Sequence, residues 1–204
     1  TGVKHAQHHV TRFGFEAEKH PAYLTMALGA GSVTPLQMAS AFGVVANGGY
    51  LVAPRLIERL TDSQGRVLLP ADPPVLDESM RTLDARNAFV MTSMLQEVTR
   101  SGTAARAQGS LKRADIYGKT GTTNDSMDAW FAGWHPSVVA VVWIGYDNPK
   151  KLGDRETGGG LALPVWIEFM AQALRGLPAR EAEPPEGVVN DGGNSAGSAW
   201  GDYD

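Results

Sequence analysis

Cysteine is absent from the 204 residues, which removes disulfides, thiolate nucleophiles and Cys-based zinc sites from consideration. Long hydrophobic runs are also missing. The longest, Val138 to Gly145, falls far short of the roughly 18 to 20 residues a membrane span needs. Positive charge is not in excess either: Lys+Arg 18 against Asp+Glu 22 leaves −4. That balance argues against a protein whose main task is gripping a nucleic-acid backbone. No internal repeat is visible. The chain starts at Thr1, and Thr1–Val10 is too polar for a signal peptide, so truncation is the expected reading of its start.

What is present suits a globular domain. Hydrophobic residues make up 43% and charged residues 20%, enough for a sizeable core. Thr34-Pro35-Leu36-Gln37 predicts a helix start, with Thr34 as cap, Pro35 in the first turn and Gln37 completing a capping box. Asn47-Gly48-Gly49 ends that helix. A helix end is expected over Lys4–Phe13. A hairpin is expected from Arg55–Thr61 and Arg66–Leu69 around the turn residues Asp62-Ser63-Gln64-Gly65. A long helix capped by Thr82 or Asp84 should run to about Arg100, with Ala88, Met91, Leu95 and Val98 at helical spacing. Strands follow at Asp115–Thr123, Ala129–Trp134 and Ser137–Tyr146, the last two joined tightly through His135-Pro136 and therefore antiparallel. A final helix begins after Gly158-Gly159-Gly160 with Pro164 in its first turn. From residue 178 the composition turns to Glu, Pro, Gly, Asn and Ser, which predicts a disordered tail over 178–204 behind a folded portion at 1–177. The fold class expected is α+β, an antiparallel sheet flanked by helices.

Tyr117-Gly118-Lys119-Thr120-Gly121-Thr122-Thr123 is the sharpest local signal. A phosphate-binding loop would match Gly118-Lys119-Thr120, but Arg113 stands where its first glycine is required, and the residues that follow start helices poorly. An edge strand with a solvated lysine is the structural alternative. A strand lining an active site is the third. Alternation puts Lys119, Gly121 and Thr123 on one face and Thr120 and Thr122 on the other. Gly121 leaves bare backbone that a flat ligand can approach, and the Thr120 and Thr122 hydroxyls beside the Lys119 charge can hold a carboxylate. A bare Lys-Thr-Gly arises by chance in about one chain in twenty of this size, so its context has to decide.

Other candidates favour plain readings. Gly193-Asn194-Ser195-Ala196-Gly197 fits the nucleophile-elbow pattern, yet it lies in the low-complexity tail and not between a strand and a helix. His5, His8 and His9 could approach a metal, but no carboxylate is spaced beside them, and a solvated helix face is the simpler reading. His20 and His135 each precede proline and read as turn residues. Trp130, Trp134, Trp143 and Trp166 read as core. Arg100, Arg106, Lys112 and Arg113 read as a solvated loop, with attraction of an anionic polymer as the alternative.

Context comes from a series of further stretches: Thr11-Arg12-Phe13-Gly14-Phe15, Leu28 to Ala39, Ala46 to Tyr50, Gly118 to Asn124, Asp128 to Gly133, Trp143 to Asp147 and Gly159 to Trp166. In this order they resemble the C-terminal half of the transpeptidase domain of class A (bifunctional) penicillin-binding proteins, the penicillin-binding protein 1A group in particular. Lys-Thr-Gly is one of the three signature motifs of that serine-enzyme superfamily. The resemblance implies a peptidoglycan D,D-transpeptidase that cross-links stem peptides through a serine acyl-enzyme and is acylated by β-lactams. It implies no cofactor, no metal and no nucleic-acid partner. The partners it implies are stem peptides, β-lactams, the upstream part of the same protein and other cell-wall synthesis proteins. The implied location is the periplasmic face of the bacterial inner membrane, anchored by an upstream helix.

By the same resemblance Lys119 stabilises charge near the site, and Thr120 and Thr122 receive the substrate carboxylate. The Thr122 backbone N–H is one oxyanion donor. Gly121 and Thr123 complete the substrate-binding strand. The departure is equally plain. No serine here has lysine three residues later, and no Ser-x-Asn occurs. Tyr146-Asp147-Asn148 fits a Tyr-x-Asn variant but follows Lys-Thr-Gly instead of preceding it, and reads as a strand end. The nucleophilic serine, its general base and the second oxyanion donor are therefore expected upstream, and the isolated chain is expected to be inactive. The alternatives are a non-catalytic stem-peptide-binding fragment, or part of a monofunctional penicillin-binding protein or serine β-lactamase.

Overall fold

A computed structural model describes residues 2–70 and 72–188. Helix α1 spans Val3–Val10 and α2 Pro35–Ala46; the short strands β1 (Leu60–Thr61) and β2 (Val67–Leu69) form a hairpin. Helices α3 (Ala85–Arg100) and α4 (Ala105–Leu111) lead into β3 (Tyr117–Thr122), β4 (Ala129–His135) and β5 (Val138–Ile144), and α5 (Leu163–Ala173) closes the series after a π-helical turn at Gly158–Ala162.

The expected caps are in place. Thr34 Oγ1 accepts from the Gln37 N–H at 3.2 Å, and Gln37 Oε1 accepts from the Thr34 N–H at 2.9 Å. Of the two candidate caps for α3, Asp84 serves, accepting from the Arg86 N–H at 2.9 Å, whereas Thr82 is buried and donates to the Arg12 carbonyl. Helix α4 differs from the loop read for that stretch. Two backbone bonds to Glu97 and one to Val98 turn the chain at Ser101–Ala104, and buried Ala104 and Ala107 then pack into the core, which outweighs the absence of any capping side chain. The hairpin strands are shorter than expected.

The three main strands pair antiparallel in the order β3-β4-β5. Lys119 lies opposite Ala132 and Gly121 opposite Trp130, while Ala132 in turn faces Val141. Helices cover both faces. On one, Phe131 meets Trp166 of α5 edge-on at 4.9 Å, within a buried cluster that includes Ile116, Leu163 and Met170. On the other, Tyr117 stacks on Trp134 at 5.2 Å, and Phe42 of α2 meets Trp134 edge-on at 5.9 Å. Each of the buried side chains Phe131, Trp166, Tyr117 and Trp134 contributes roughly 1.5–3 kcal/mol through the area it removes from water, and half-buried Phe42 less. The α+β architecture is as expected.

The segment after α5 follows a course the composition did not predict. Instead of leaving the body at residue 178, it returns across the start of β3. The Arg113 guanidinium donates to the Leu177 and Pro178 carbonyls at 2.9 and 2.8 Å, the Arg180 N–H donates to Asp115 at 2.7 Å, and the Ala182 N–H donates to the Tyr117 hydroxyl at 3.1 Å. Residues 189–204, with the Gly193–Gly197 pattern, lie outside the described residues.

Candidate active site

Among the described residues, strand β3 has a ladder partner on one side only, β4, and its other edge is open. Its register fixes which amides face that opening. The Thr123 N–H donates to the Asp128 carbonyl, which makes Thr123 and Asp128 a hydrogen-bonded pair continuing the β3–β4 ladder. Ladder bonds in an antiparallel pair recur every second residue. The N–H groups of Lys119 and Gly121 therefore turn toward β4, and those of Thr120 and Thr122 turn to the free edge. The same alternation sends the Thr120 and Thr122 side chains toward the α4 and α5 side, and Lys119 to the opposite face.

Three local contacts set the donors. Lys119 Nζ reaches over its neighbour and donates to the Thr120 carbonyl at 2.9 Å and to Thr120 Oγ1 at 3.4 Å. Thr120 Oγ1 also lies 2.9 Å from Thr103 Oγ1, in the elbow between α3 and α4. Thr122 Oγ1 accepts from the Gly158 N–H at 3.0 Å. A hydroxyl offers one proton and two lone pairs, while an ammonium offers only donors. The Gly158 amide occupies the Thr122 oxygen and leaves the Thr122 proton to give, and the Thr120 proton is available whenever Thr103 is the donor of their pair. An ammonium, two hydroxyl protons and two outward amides thus line one exposed edge, an arrangement that suits an anion with several oxygens.

The strand is held from behind. Thr99 Oγ1 of α3 lies 2.5 Å from the Ile116 carbonyl, and Gln96 donates to the Ala114 carbonyl at 2.9 Å. At Gly158 a β-carbon would collide with the carbonyl oxygens of Trp130 and Gly121, so only glycine lets the turn before α5 lie this close to the strand.

Lys119, Thr120, Gly121 and Thr122 thus come together on one strand. Thr123 is engaged differently: its hydroxyl accepts from the Met127 and Asp128 N–H groups at 3.1 and 2.8 Å and braces the turn to β4. The phosphate-loop reading fails, because Lys119 and Thr120 sit inside a strand and only a short 3-10 turn (Asn124–Ser126) follows. Tyr146-Asp147-Asn148 follows the end of β5, as expected.

His5, His8 and His9 lie on α1, and among the described residues no group of three or more His, Asp or Glu is placed to hold a metal. Also among the described residues, no helix is long and apolar enough to cross a membrane. Trp134 and Trp166 are core, whereas Trp130 and Trp143 form a half-buried tilted pair. His20, read as a turn residue, is buried edge-on to Phe15.

Sequence reasoning missed three features. Thr103 and Gly158 gave no local signal, because their roles arise from contacts 17 and 36 residues away. The third is a buried charge cluster where a turn histidine and a loop arginine were read. Asp115, fully buried, accepts from Arg113 Nε and Nη2 at 2.9 and 2.7 Å and from His135 Nε2 at 3.1 Å. The Ser137 N–H donates to His135 Nδ1, which assigns the ring proton to Nε2. Burial pushes the Asp115 carboxyl up, but the Arg113 bonds and the Arg180 N–H outweigh it and hold the group below its usual range. Burial holds His135 below its ordinary value despite the attraction of Asp115.

The profile of the Penicillin binding protein transpeptidase domain matches residues 10–171. The chain belongs to the penicillin-binding protein transpeptidase family. It is 47% identical to penicillin-binding protein 1A of Neisseria flavescens over 94% of its own length, which is 24% of that protein. With penicillin-binding protein 1A of Pseudomonas aeruginosa the identity is 38%, covering 93% of this chain and 28% of the other. The crystal structure of penicillin-binding protein 1A from Haemophilus influenzae superposes with a TM-score of 0.81 at 35% identity, covering 90% of this chain and 33% of that one. PonA1 of Mycobacterium tuberculosis shares the fold at TM-score 0.67 and 23% identity. The chain spans about a quarter of the length of its Neisseria and Pseudomonas relatives. The resemblance drawn from the ordered stretches is thereby borne out at the level of family and fold.

Proposed function

We propose that this chain is the substrate-carboxylate side of a peptidoglycan D,D-transpeptidase of the penicillin-binding protein 1A type, acting with residues beyond these 204. One observation carries the reading: a free strand edge on which Lys119 Nζ, the Thr120 and Thr122 hydroxyls and two outward amides offer donors to an anion. A stem peptide ends in a carboxylate, and a penicillin carries one in the equivalent place, so one strand serves both. Thr120 and Thr122 hold that carboxylate, the Lys119 ammonium attracts its negative charge, and Gly121 admits the flat ligand against bare backbone. The Thr122 N–H points where the oxygen of an acyl carbonyl gains charge. A fixed dipole there contributes on the order of 10²–10³ in rate. Thr123 serves by fixing the turn that holds Thr122 in register.

The serine, its base and the second oxyanion donor come from outside this sequence, which contains neither Ser-x-x-Lys nor Ser-x-Asn. Action on peptidoglycan places the site on the periplasmic side of the inner membrane. Labelling with a fluorescent penicillin tests the division of labour. The isolated chain should take up no covalent label, and the full-length protein should be labelled. A covalent adduct on residues 1–204 alone would refute it.

A further inference from the structure

Thr120 is the half-buried hydroxyl of the strand, and its orientation is not set by β3 alone. Thr103 Oγ1 lies 2.9 Å from Thr120 Oγ1, and Lys119 Nζ lies 3.4 Å from the same oxygen. The ammonium can only donate. Between two hydroxyls, either may donate. When a carboxylate, which can only accept, arrives at Thr120, the Thr120 proton must go to it, and Thr103 must then donate to Thr120. Aligned donors polarise one another, so the outer bond strengthens.

The position of Thr103 is fixed by the fold. The Ser101 and Gly102 N–H groups both reach the Glu97 carbonyl, the Ala104 N–H reaches that of Val98, and a β-carbon at Gly102 would lie 2.9 Å from Val98 Cα. Buried Ala104 and Ala107 seat the elbow in the core. The Thr103 carbonyl also lies 3.4 Å from where a β-carbon of Gly159 would stand, so the elbow abuts the same glycine turn that backs Thr122.

We infer that Thr103 is a positioning residue of the carboxylate site: by donating to Thr120 it commits the Thr120 proton to the ligand, so that the α3–α4 elbow takes part in recognition. The inference rests on the proposed carboxylate-binding role of β3.

The test uses the full-length protein, with benzylpenicillin and its methyl ester as paired probes of acylation rate. Thr103→Val keeps shape and removes the proton. It should slow acylation by the free acid about fivefold, the worth of one neutral hydrogen bond, and leave the ester rate nearly unchanged. Thr103→Ser should recover most of the loss, and Thr103→Ala gives the same comparison where valine is not tolerated. Added to Thr120→Val, the Thr103→Val change should cost nothing more, because the partner is already gone. An equal loss with acid and ester, additive losses in the double variant, or no loss at all would overturn the role of Thr103 while leaving the strand's role intact. A Thr120→Val protein that is acylated by the free acid at the wild-type rate would instead sink the carboxylate reading on which it stands.

Discussion

The backbone N–H of Gly158 donates to the Thr122 hydroxyl at 3.0 Å, joining the turn before α5 to the open edge of β3 across 36 residues of sequence. That bond and the absence of a side chain at Gly158 are one device. Close approach is what brings the amide within reach, and a β-carbon would strike the Trp130 and Gly121 carbonyl oxygens. Backbone on both sides leaves nothing flexible to move aside. Gly158→Ala should therefore destabilise the fold by about 1–3 kcal/mol, the usual cost of overpacking. Penicillin acylation in the full-length protein should fall with it, because Thr122 is displaced. Thermal unfolding and labelling rate check the two effects. An alanine variant with unchanged melting and labelling would show that the turn can recede without disturbing the strand.

Lys119 tests the electrostatic side of the same edge. Its ammonium donates to the Thr120 carbonyl and hydroxyl, so its removal takes away both a fixed charge and one restraint on Thr120. A hydrogen bond to a charged group contributes about 1.5–3 kcal/mol, which predicts a loss on the order of 10- to 100-fold in acylation rate for Lys119→Ala in the full-length protein. Because the side chain is exposed, stability should change little. Stopped-flow acylation measures the first and a denaturant melt the second. Unchanged acylation would remove Lys119 from the site.

Much of this was legible in the residues. Thr34, Pro35 and Gln37 announce α2 because capping is a local reaction between neighbours, and the tight link read at His135-Pro136 announces the β4–β5 hairpin for the same reason, although the turn itself falls one residue later, at Pro136-Ser137. The alternation of Lys119, Thr120, Gly121 and Thr122 across a strand is a consequence of pleating and needed no tertiary knowledge. Contacts distant in sequence were not legible. Helix α4 has no capping side chain and forms because Ala104 and Ala107 fill space against the core. Thr103 and Gly158 matter through neighbours that the fold brings to them. Residues 178–182 have the composition of a loose tail, and composition cannot register that buried Asp115 and Arg113 supply partners for their backbone.

That docked segment leads to a dependence on pH. Asp115 collects the Arg113 guanidinium, the His135 ring and the Arg180 N–H, and Arg113 in turn holds the Leu177 and Pro178 carbonyls. Asp115→Ala would leave the guanidinium largely buried and unpaired, and should cost about 3–5 kcal/mol. Titration acts in the same direction through two groups. His135 is held below its ordinary value, facing Asp115, Arg113 and Arg180. The unfolded chain therefore binds a proton that the folded one refuses, and stability present above about pH 6.5 falls as the pH drops below it. Asp115 is also held below its ordinary value. Its contribution is present above about pH 4 and is lost as the pH falls through the folded value. Both losses lie on the acid side, the histidine's first. Denaturant unfolding of the chain at pH 7, 6 and 5 should show stability declining toward pH 5. His135→Gln, which keeps a donor for Asp115 but cannot titrate, should flatten that decline. An equal slope in wild type and His135→Gln would mean that the histidine does not carry it.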